Sequence, residues 1–292
     1  MFGLVEAGGT KMVLGIATTP DDRRATHRIP TTNPDETLYA IIDWFRGVSG
    51  IHGPLSAIGV ASFGPLDLDR RSPTWGHITR TTKPHWSNTD FAGPLGKAFG
   101  CPVGFDTDVN GAALAEARWG AGQDQRVVLY LTVGTGIGGG AIIDGQVLRG
   151  LSHPEMGHIR VPRHPDDLDF KGVCPFHGDC LEGLASGPAI KARWGSSLSV
   201  LGPEHPANAL ISFYLAQAVC NFQAILEPDR IILGGGVMGT PGLVERVRSV
   251  AVRLGNNYFV GEPEAIVVQP GLGDRSGLLG AFALAETALH DA

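Results

Sequence analysis

The sequence predicts an α/β protein made of two related halves, and three observations carry that prediction. A chain of 292 residues exceeds the size at which one hydrophobic core usually stops growing, so two lobes with a cleft between them are expected. Strand-like and helix-like segments alternate along it. The plan of strand, glycine turn and strand that opens the chain returns at residues 127–144, as a duplicated unit would give.

The elements follow in order. FGLVEAGGTKMVLGIAT, from residue 2, is two apolar runs broken by Ala7, Gly8 and Gly9, a hairpin pattern. Residues 33–46 read as a helix: Asn33 caps, Pro34 suits the first turn, and Leu38, Ile41, Ile42 and Phe45 recur at helical spacing. AIGVA, 57–61, is a buried strand ending in the loop Ser62-Phe63-Gly64-Pro65. Residues 66–100 read as mostly irregular, with a helix around 89–99. A strand ends at VGFDTD and the helix VNGAALAEARWG follows. After the second hairpin come a helix at 205–226, the strand RIILGGG, a helix at 242–254, the strand AIVVQ at 265–269, and a small-residue helix from 276.

Hydrophobic residues at 43% and charged residues at 18% give enough apolar surface for a packed core and exclude a disordered chain. The net charge of -6 comes without any basic run, so no nucleic-acid partner is expected. The N-terminal residues lack a signal-peptide pattern, and no segment approaches ~18 unbroken apolar residues. A cytoplasmic protein with no membrane contact is expected. Cysteines 101, 174, 180 and 220 are too scattered for a disulfide framework. The run CPFHGDCLEG at 174–183 is open to three readings: a disulfide, a metal knuckle or a loop with chance thiols. A reducing compartment favours metal.

Gly134, Gly136 and Gly139 satisfy G-x-G-x-x-G, but Ala141, Ile142 and Ile143 continue as a strand where a dinucleotide-binding fingerprint must open a helix. The phosphate-binding G-x-x-x-x-G-K-[ST] loop and the protein-kinase motifs are absent. What remains is two hairpin turns carrying glycine and a hydroxyl, Gly8-Gly9-Thr10 and Gly134-Thr135-Gly136, with Gly234-Gly235-Gly236 after a later strand. Glycines let backbone N–H groups approach phosphate oxygens, and threonine adds a donor on the same rim. Lys11 adds a positive charge.

These segments resemble the ROK sugar kinases, most closely their bacterial fructokinase branch: EAGGTK at 6–11, FDTDVNGAAL at 105–114, TVGTGIGGG at 132–140, HPEMGH at 153–158, CPFHGDCLEG at 174–183, SGPAI at 186–190 and LGGGVM at 233–238. The resemblance implies the actin-like, ribonuclease-H-like ATPase fold, with residues 1–115 and 276–292 in the first lobe and 116–275 in the second, including a zinc-binding segment at 153–183. It implies ATP with Mg²⁺ near Gly8, Gly9, Thr10, Lys11, Thr135 and Gly136, with Pro188 and Gly234, Gly235, Gly236, Val237 and Met238 toward the nucleoside. It implies a hexose substrate, most naturally fructose, with mannose, glucose or an N-acetylhexosamine as alternatives, and a homodimer. Glu6 stands where the family more often has Asp, which shifts the carboxylate that would face Mg²⁺. The family's repressors carry a helix-turn-helix segment, for which the first strand, beginning at residue 2, leaves no room. A non-enzymatic actin-like ATPase is the alternative from another class.

Asp106 and Asp108 stand two apart at a strand end and are expected to face opposite ways, so that only Asp108 enters the pocket. The resemblance makes Asp108, in the pattern Asp108-Val109-Asn110-Gly111-Ala112-Ala113, the base that accepts the sugar hydroxyl's proton. Thr107, replacing a commoner Asn, joins Glu155, His158 and Glu182 as expected sugar ligands, since carboxylates accept from two hydroxyls at once. Gly64 and Pro65, with residues 79–86, are expected to line the sugar's other side.

The family's commoner metal knuckle has one His and three Cys; here His177 takes a Cys position and the spacing is shorter by one. His158, Cys174, His177 and Cys180 suit tetrahedral Zn²⁺ in number and type. With four protein ligands the ion is structural, and it is expected to hold Glu155 and Glu182 in register.

Overall fold

The computed structural model describes residues 1–22 and 24–292, and the chain divides into two compact units. The first comprises Met1–Ala115, Leu148–His153 and Asp274–Ala292, and the second comprises Glu116–Val147 and Pro154–Gly273. Residues 148–153, placed in the second lobe from the sequence, pack with the first unit because Arg149, Ser152 and His153 bond to Asp106 and Leu66 there.

The first unit begins with β1 (Phe2–Ala7), β2 (Lys11–Ala17) and β3 (Ala25–Pro30). Helix α1 (Pro34–His52) starts where Asn33 accepts from the Glu36 amide at 3.0 Å. It runs six residues beyond the expected 46, past Gly47 and Gly50, because the left-handed backbone that ends it comes only at Gly53, φ 97°. Then come β4 (Ala57–Ser62), the short β5 (His77–Ile78) and β6 (Thr89–Asp90), α2 (Ala92–Phe99), β7 (Val103–Thr107) and α3 (Asp108–Trp119), which crosses into the second unit. The sheet order is β3-β2-β1-β4-β7, antiparallel through β1 and parallel from there.

The second unit repeats this plan. Its strands β8 (Val127–Val133), β9 (Ile137–Ile143) and β10 (Gln146–Val147) precede α4 (Leu181–Ala185), α5 (Gly187–Trp194), α6 (Leu198–Leu201) and α7 (Ala207–Leu226). Strand β11 (Arg230–Gly234), α8 (Leu243–Gly255), α9 (Pro263–Ile266) and β12 (Val267–Val268) complete it. The sheet order β10-β9-β8-β11-β12 mirrors the first, with the same change from antiparallel to parallel at the third strand. The strand expected at 265–269 is reduced to Val267 and Val268, because Pro263 opens a helical turn that consumes the preceding residues. Helix α7 is long and apolar enough to cross a membrane by length and composition, but more than half of its apolar window is buried within this unit, where it packs against α4 and α8.

The last helix, α10 (Ser276–His290), returns to the first unit and lies across β1, β4 and β7. It comes so close that a Cβ on Gly59 would stand 1.8 Å from the Ala281 carbonyl oxygen, and one on Gly104 would stand 2.1 Å from that of Leu284. Only glycine fits at both strand positions. Gly59→Ala is therefore expected to lower unfolding free energy by about 3 kcal/mol or more, read from urea denaturation.

Candidate active site

In each unit the functional candidates follow the carboxyl ends of adjacent parallel strands, the usual place for ligands in such sheets. In the first unit Ala7 pairs with Ser62 and Ser62 with Thr107, so three chain segments leave the sheet side by side. These are the turn Gly8-Gly9-Thr10, the loop Phe63-Gly64-Pro65 and the start of α3 at Asp108. In the second unit Thr132 pairs with Gly234, which brings the Gly134-Thr135-Gly136 turn beside Gly235 and Gly236.

The first turn is closed by Gly8 N–H donating to the Lys11 carbonyl at 3.1 Å, and Thr31 fixes its rim through the Gly8 and Thr10 carbonyls. Among the described residues the amides of Gly9 and Thr10 make no hydrogen bond, and both residues are exposed beside Lys11. In the second turn Gly134 N–H donates to the Gly136 carbonyl and the Gly134 carbonyl accepts from Gly187, both at 2.8 Å, while among the described residues the Thr135 and Gly136 amides make no hydrogen bond. Turns with unspent N–H donors of this kind can cradle an anion.

Glu182, at the start of α4, accepts from Ile137 N–H at 2.9 Å, and a Cβ on Gly136 would lie 2.7 Å from the same carboxylate oxygen. The carboxylate expected to meet sugar thus also braces the second glycine turn. A cavity of about 770 Å³ in this unit is lined by Gly134, Thr135, Pro188, Gly236 and Val237 among the expected residues. Gly234, Gly235 and Met238 do not line it. A Cβ on Gly234 would meet the Tyr130 hydroxyl at 2.4 Å, Gly235 has φ 90° and lies against Val133, and Met238 is buried. Packing constrains all three as well. Lys191, Leu198, Ser199 and Thr240 line the cavity without a sequence signal, since they fall outside the quoted motifs.

Asp106 and Asp108 do occupy different surroundings, but not by strand alternation, since residues two apart in a strand share a face. The strand ends at Thr107 and Asp108 is the first residue of α3. Asp106 is fully buried, accepting from Thr107 N–H at 2.8 Å and Asn110 Nδ2 at 2.7 Å, and pairs with Arg149. Asp108 is half-buried. Thr107, expected as a sugar ligand, is buried and its hydroxyl caps α3 by accepting from Asn110 N–H at 3.1 Å. Its side chain is committed to the helix start. Trp86, in the segment expected to line the sugar, is likewise core: it is fully buried against Phe63 and Phe91 and donates to the Thr32 carbonyl at 2.8 Å.

His158, Cys174, His177 and Cys180 converge, with one ligand atom from each within 4.8 Å of the others. His158 Nδ1 stands 3.4 Å from Cys180 Sγ, 3.7 Å from Cys174 Sγ and 3.2 Å from His177 Nδ1, and Cys174 Sγ is 3.7 Å from His177 Nδ1. The cysteines are free, which removes the disulfide reading. Burial and the neighbouring Cys174 push the Cys180 thiol up to about 11. The other ring nitrogen of His158 lies 3.8 Å from the Glu155 carboxylate.

The ROK family profile matches residues 2–288. The chain belongs to the ROK family. It is 50% identical to a fructokinase of Zymomonas mobilis over 98% of this chain and 96% of that one. With a fructokinase of Pediococcus pentosaceus it shares 41% identity over the full length of both. A crystal structure of a ROK hexokinase from Thermus thermophilus superposes with a TM-score of 0.82 at 28% identity, covering 100% of this chain and 99% of the other. This ROK chain therefore has the actin-like fold of the sugar kinases.

Within that fold Glu6 is a carboxylate whose burial works against its charge. Burial raises its pKa above the ordinary 4.5 against the pull of Lys11 and Arg28, with Asp274 adding to the rise. The folded chain then holds this proton more tightly than the unfolded chain, so stability falls as pH rises from the unfolded carboxylate range through the folded value. Glu6→Gln is expected to melt at a higher temperature than the parent at pH 8, with the difference shrinking toward about pH 4, as thermal melts across that range will show.

Proposed function

We propose that this chain is a fructokinase that transfers the γ-phosphoryl group of ATP to the 6-hydroxyl of D-fructose. The observation that carries the reading is the 50% identity with a fructokinase across nearly the whole chain, on a fold that sets two anion-cradling turns and a carboxylate at strand ends. Phosphoryl transfer asks little covalent chemistry of a protein, so positioning and charge neutralisation supply most of the acceleration.

The roles proposed for the residues are those the resemblance implies, and the geometry of each unit supports them. The unspent amides at Gly9, Thr10, Thr135 and Gly136, with Lys11, hold phosphate oxygens. The cavity beside Thr135 and Pro188 takes the nucleoside. Asp108 accepts the proton of the attacking hydroxyl, and Glu155, His158 and Glu182 hold sugar hydroxyls. Glu6 fits a place near Mg²⁺, because it is a half-buried carboxylate with no hydrogen bond or ion pair among the described residues. Mg²⁺ neutralises phosphate charge when bound.

The four-donor cluster fits Zn²⁺. Bonds of about 2.0–2.1 Å to nitrogen and 2.3 Å to sulfur make tetrahedral edges of roughly 3.3 Å between nitrogens and 3.6 Å between nitrogen and sulfur. The measured edges are 3.2 Å between the nitrogens and 3.4, 3.7 and 3.7 Å between nitrogen and sulfur. Bound there, zinc supplies structure, because four protein ligands close its shell. His158 would hold it through Nδ1 and turn its other nitrogen to Glu155, an arrangement that orients both. Cys180, next but one to Glu182, ties the second carboxylate to the same cluster.

A panel of hexoses ranked by kcat/KM with ATP tests the substrate; fructose is expected first, and a clear preference for mannose, glucose or an N-acetylhexosamine would redirect the reading. Asp108→Asn is expected to lower kcat by ~10²-fold or more while both KM values change little; a kcat near the parent's would exclude Asp108 as the base. Metal analysis is expected to find zinc at one ion per chain, and its removal by a strong chelator, or Cys180→Ser, should raise KM for fructose and lower the melting temperature together.

A further inference from the structure

Residues 148–152 carry no motif used so far, yet with His153 they bond to a loop and to strand β7 of the first unit at once. Ser152 Oγ donates to the Leu66 carbonyl at 3.0 Å, and Leu66 N–H donates to His153 Nε2 at 3.0 Å, beside the Gly64-Pro65 loop. Arg149 reaches the other way and pairs with Asp106. We propose that Arg149 is a positioning residue for phosphoryl transfer: through Asp106 and Asn110 it fixes the first turn of α3, and with it the direction of Asp108.

Asp106 is fully buried and Arg149 is its cation among the described residues. One carboxylate oxygen faces Arg149; the other accepts from Thr107 N–H and from Asn110 Nδ2. Asp106 belongs to β7 and Asn110 to α3, so this hydrogen bond spans the junction between strand and helix, and Asp108 stands midway along it. A buried carboxylate stripped of its partner is strongly unfavourable and rearranges or takes up a proton. Either response loosens the Asp106–Asn110 bond. A displacement of about 1 Å at a reacting group costs on the order of 10²-fold in rate. The Ser152 and His153 bonds hold the segment in place without Arg149, so loss of the guanidinium acts on the junction and leaves the strap attached.

The inference rests on the reading of Asp108 as the base, and the experiment separates the two. Arg149→Met, Arg149→Lys and Asp108→Asn are compared by kcat, by KM for ATP and fructose, and by melting temperature, each with and without added guanidinium ion. The Arg149 side chain is 46% exposed, which leaves room for a guanidinium from solvent. Arg149→Met is expected to lose about 10- to 100-fold in kcat with KM for ATP within about 3-fold, guanidinium is expected to restore kcat several-fold, and Arg149→Lys should fall between. Guanidinium should restore nothing in Asp108→Asn. A parental kcat in Arg149→Met overturns the proposal, as does a loss that guanidinium leaves unchanged. A parental kcat in Asp108→Asn overturns the base assignment, whatever Arg149→Met shows. Should Arg149→Met fail to fold, Arg149→Met combined with Asp106→Asn leaves no unpaired charge and is compared with Asp106→Asn alone; a kcat no lower in the double variant supports action through Asp106, and a further loss overturns it.

Discussion

Close backbone contact between α10 and the first sheet is the constraint on which the first unit depends. A helix from the end of the chain can lie against β4 and β7 only because Gly59 and Gly104 have no side chains where Ala281 and Leu284 arrive. The same approach brings Gly111 of α3 and Gly280 of α10 together, with a Cβ on Gly280 only 2.5 Å from the Gly111 carbonyl carbon. The helix that carries Asp108 is therefore seated against the C-terminal helix. One turn earlier α10 presents Gly277 to Glu6, where a Cβ would stand 2.4 Å from the carboxylate carbon. The Glu6 carboxylate is accommodated by a missing side chain across from it.

The second unit solves a similar problem with side chains. Its glycine turn is braced by Glu182, and Glu182 follows Cys180 of the four-donor cluster by two residues. Around that cluster Asp179 pairs with Arg160 and Arg163. Arg193 pairs with Asp167 at 2.7 Å, almost fully buried, and stacks on Phe170. Arg193 also donates to the Leu184 carbonyl at 2.7 Å, so α5, which carries Pro188, is tied to α4, which carries Glu182. The residues proposed for nucleotide and for sugar in this unit thus share one rigid frame. Such a frame lowers the ordering cost of binding.

Much of the fold was legible because it is written in short-range signals. Both hairpins, the caps and the apolar period of α1, and the duplicated plan depend on neighbours in sequence. What was not legible has a common cause: Thr107 and Trp86 also serve the fold, and only their partners, the Asn110 amide and the Thr32 carbonyl, reveal it. Gly234 and Gly235 look like a ligand loop but serve contacts with Tyr130 and Val133. Lys191, Leu198 and Thr240 line the cavity with no pattern that spacing can register.

The sequence by itself determined the class of fold, the places where glycine turns meet strand ends, and the membership of the Cys and His cluster. Those properties follow from residue type and local spacing. Tertiary structure alone decided which carboxylates face which partners. Asp106 lies 43 residues from Arg149, and Glu182 lies 45 residues from Ile137. A buried carboxylate is defined by the donor that reaches it, and that donor is chosen by packing, not by its neighbours in the chain.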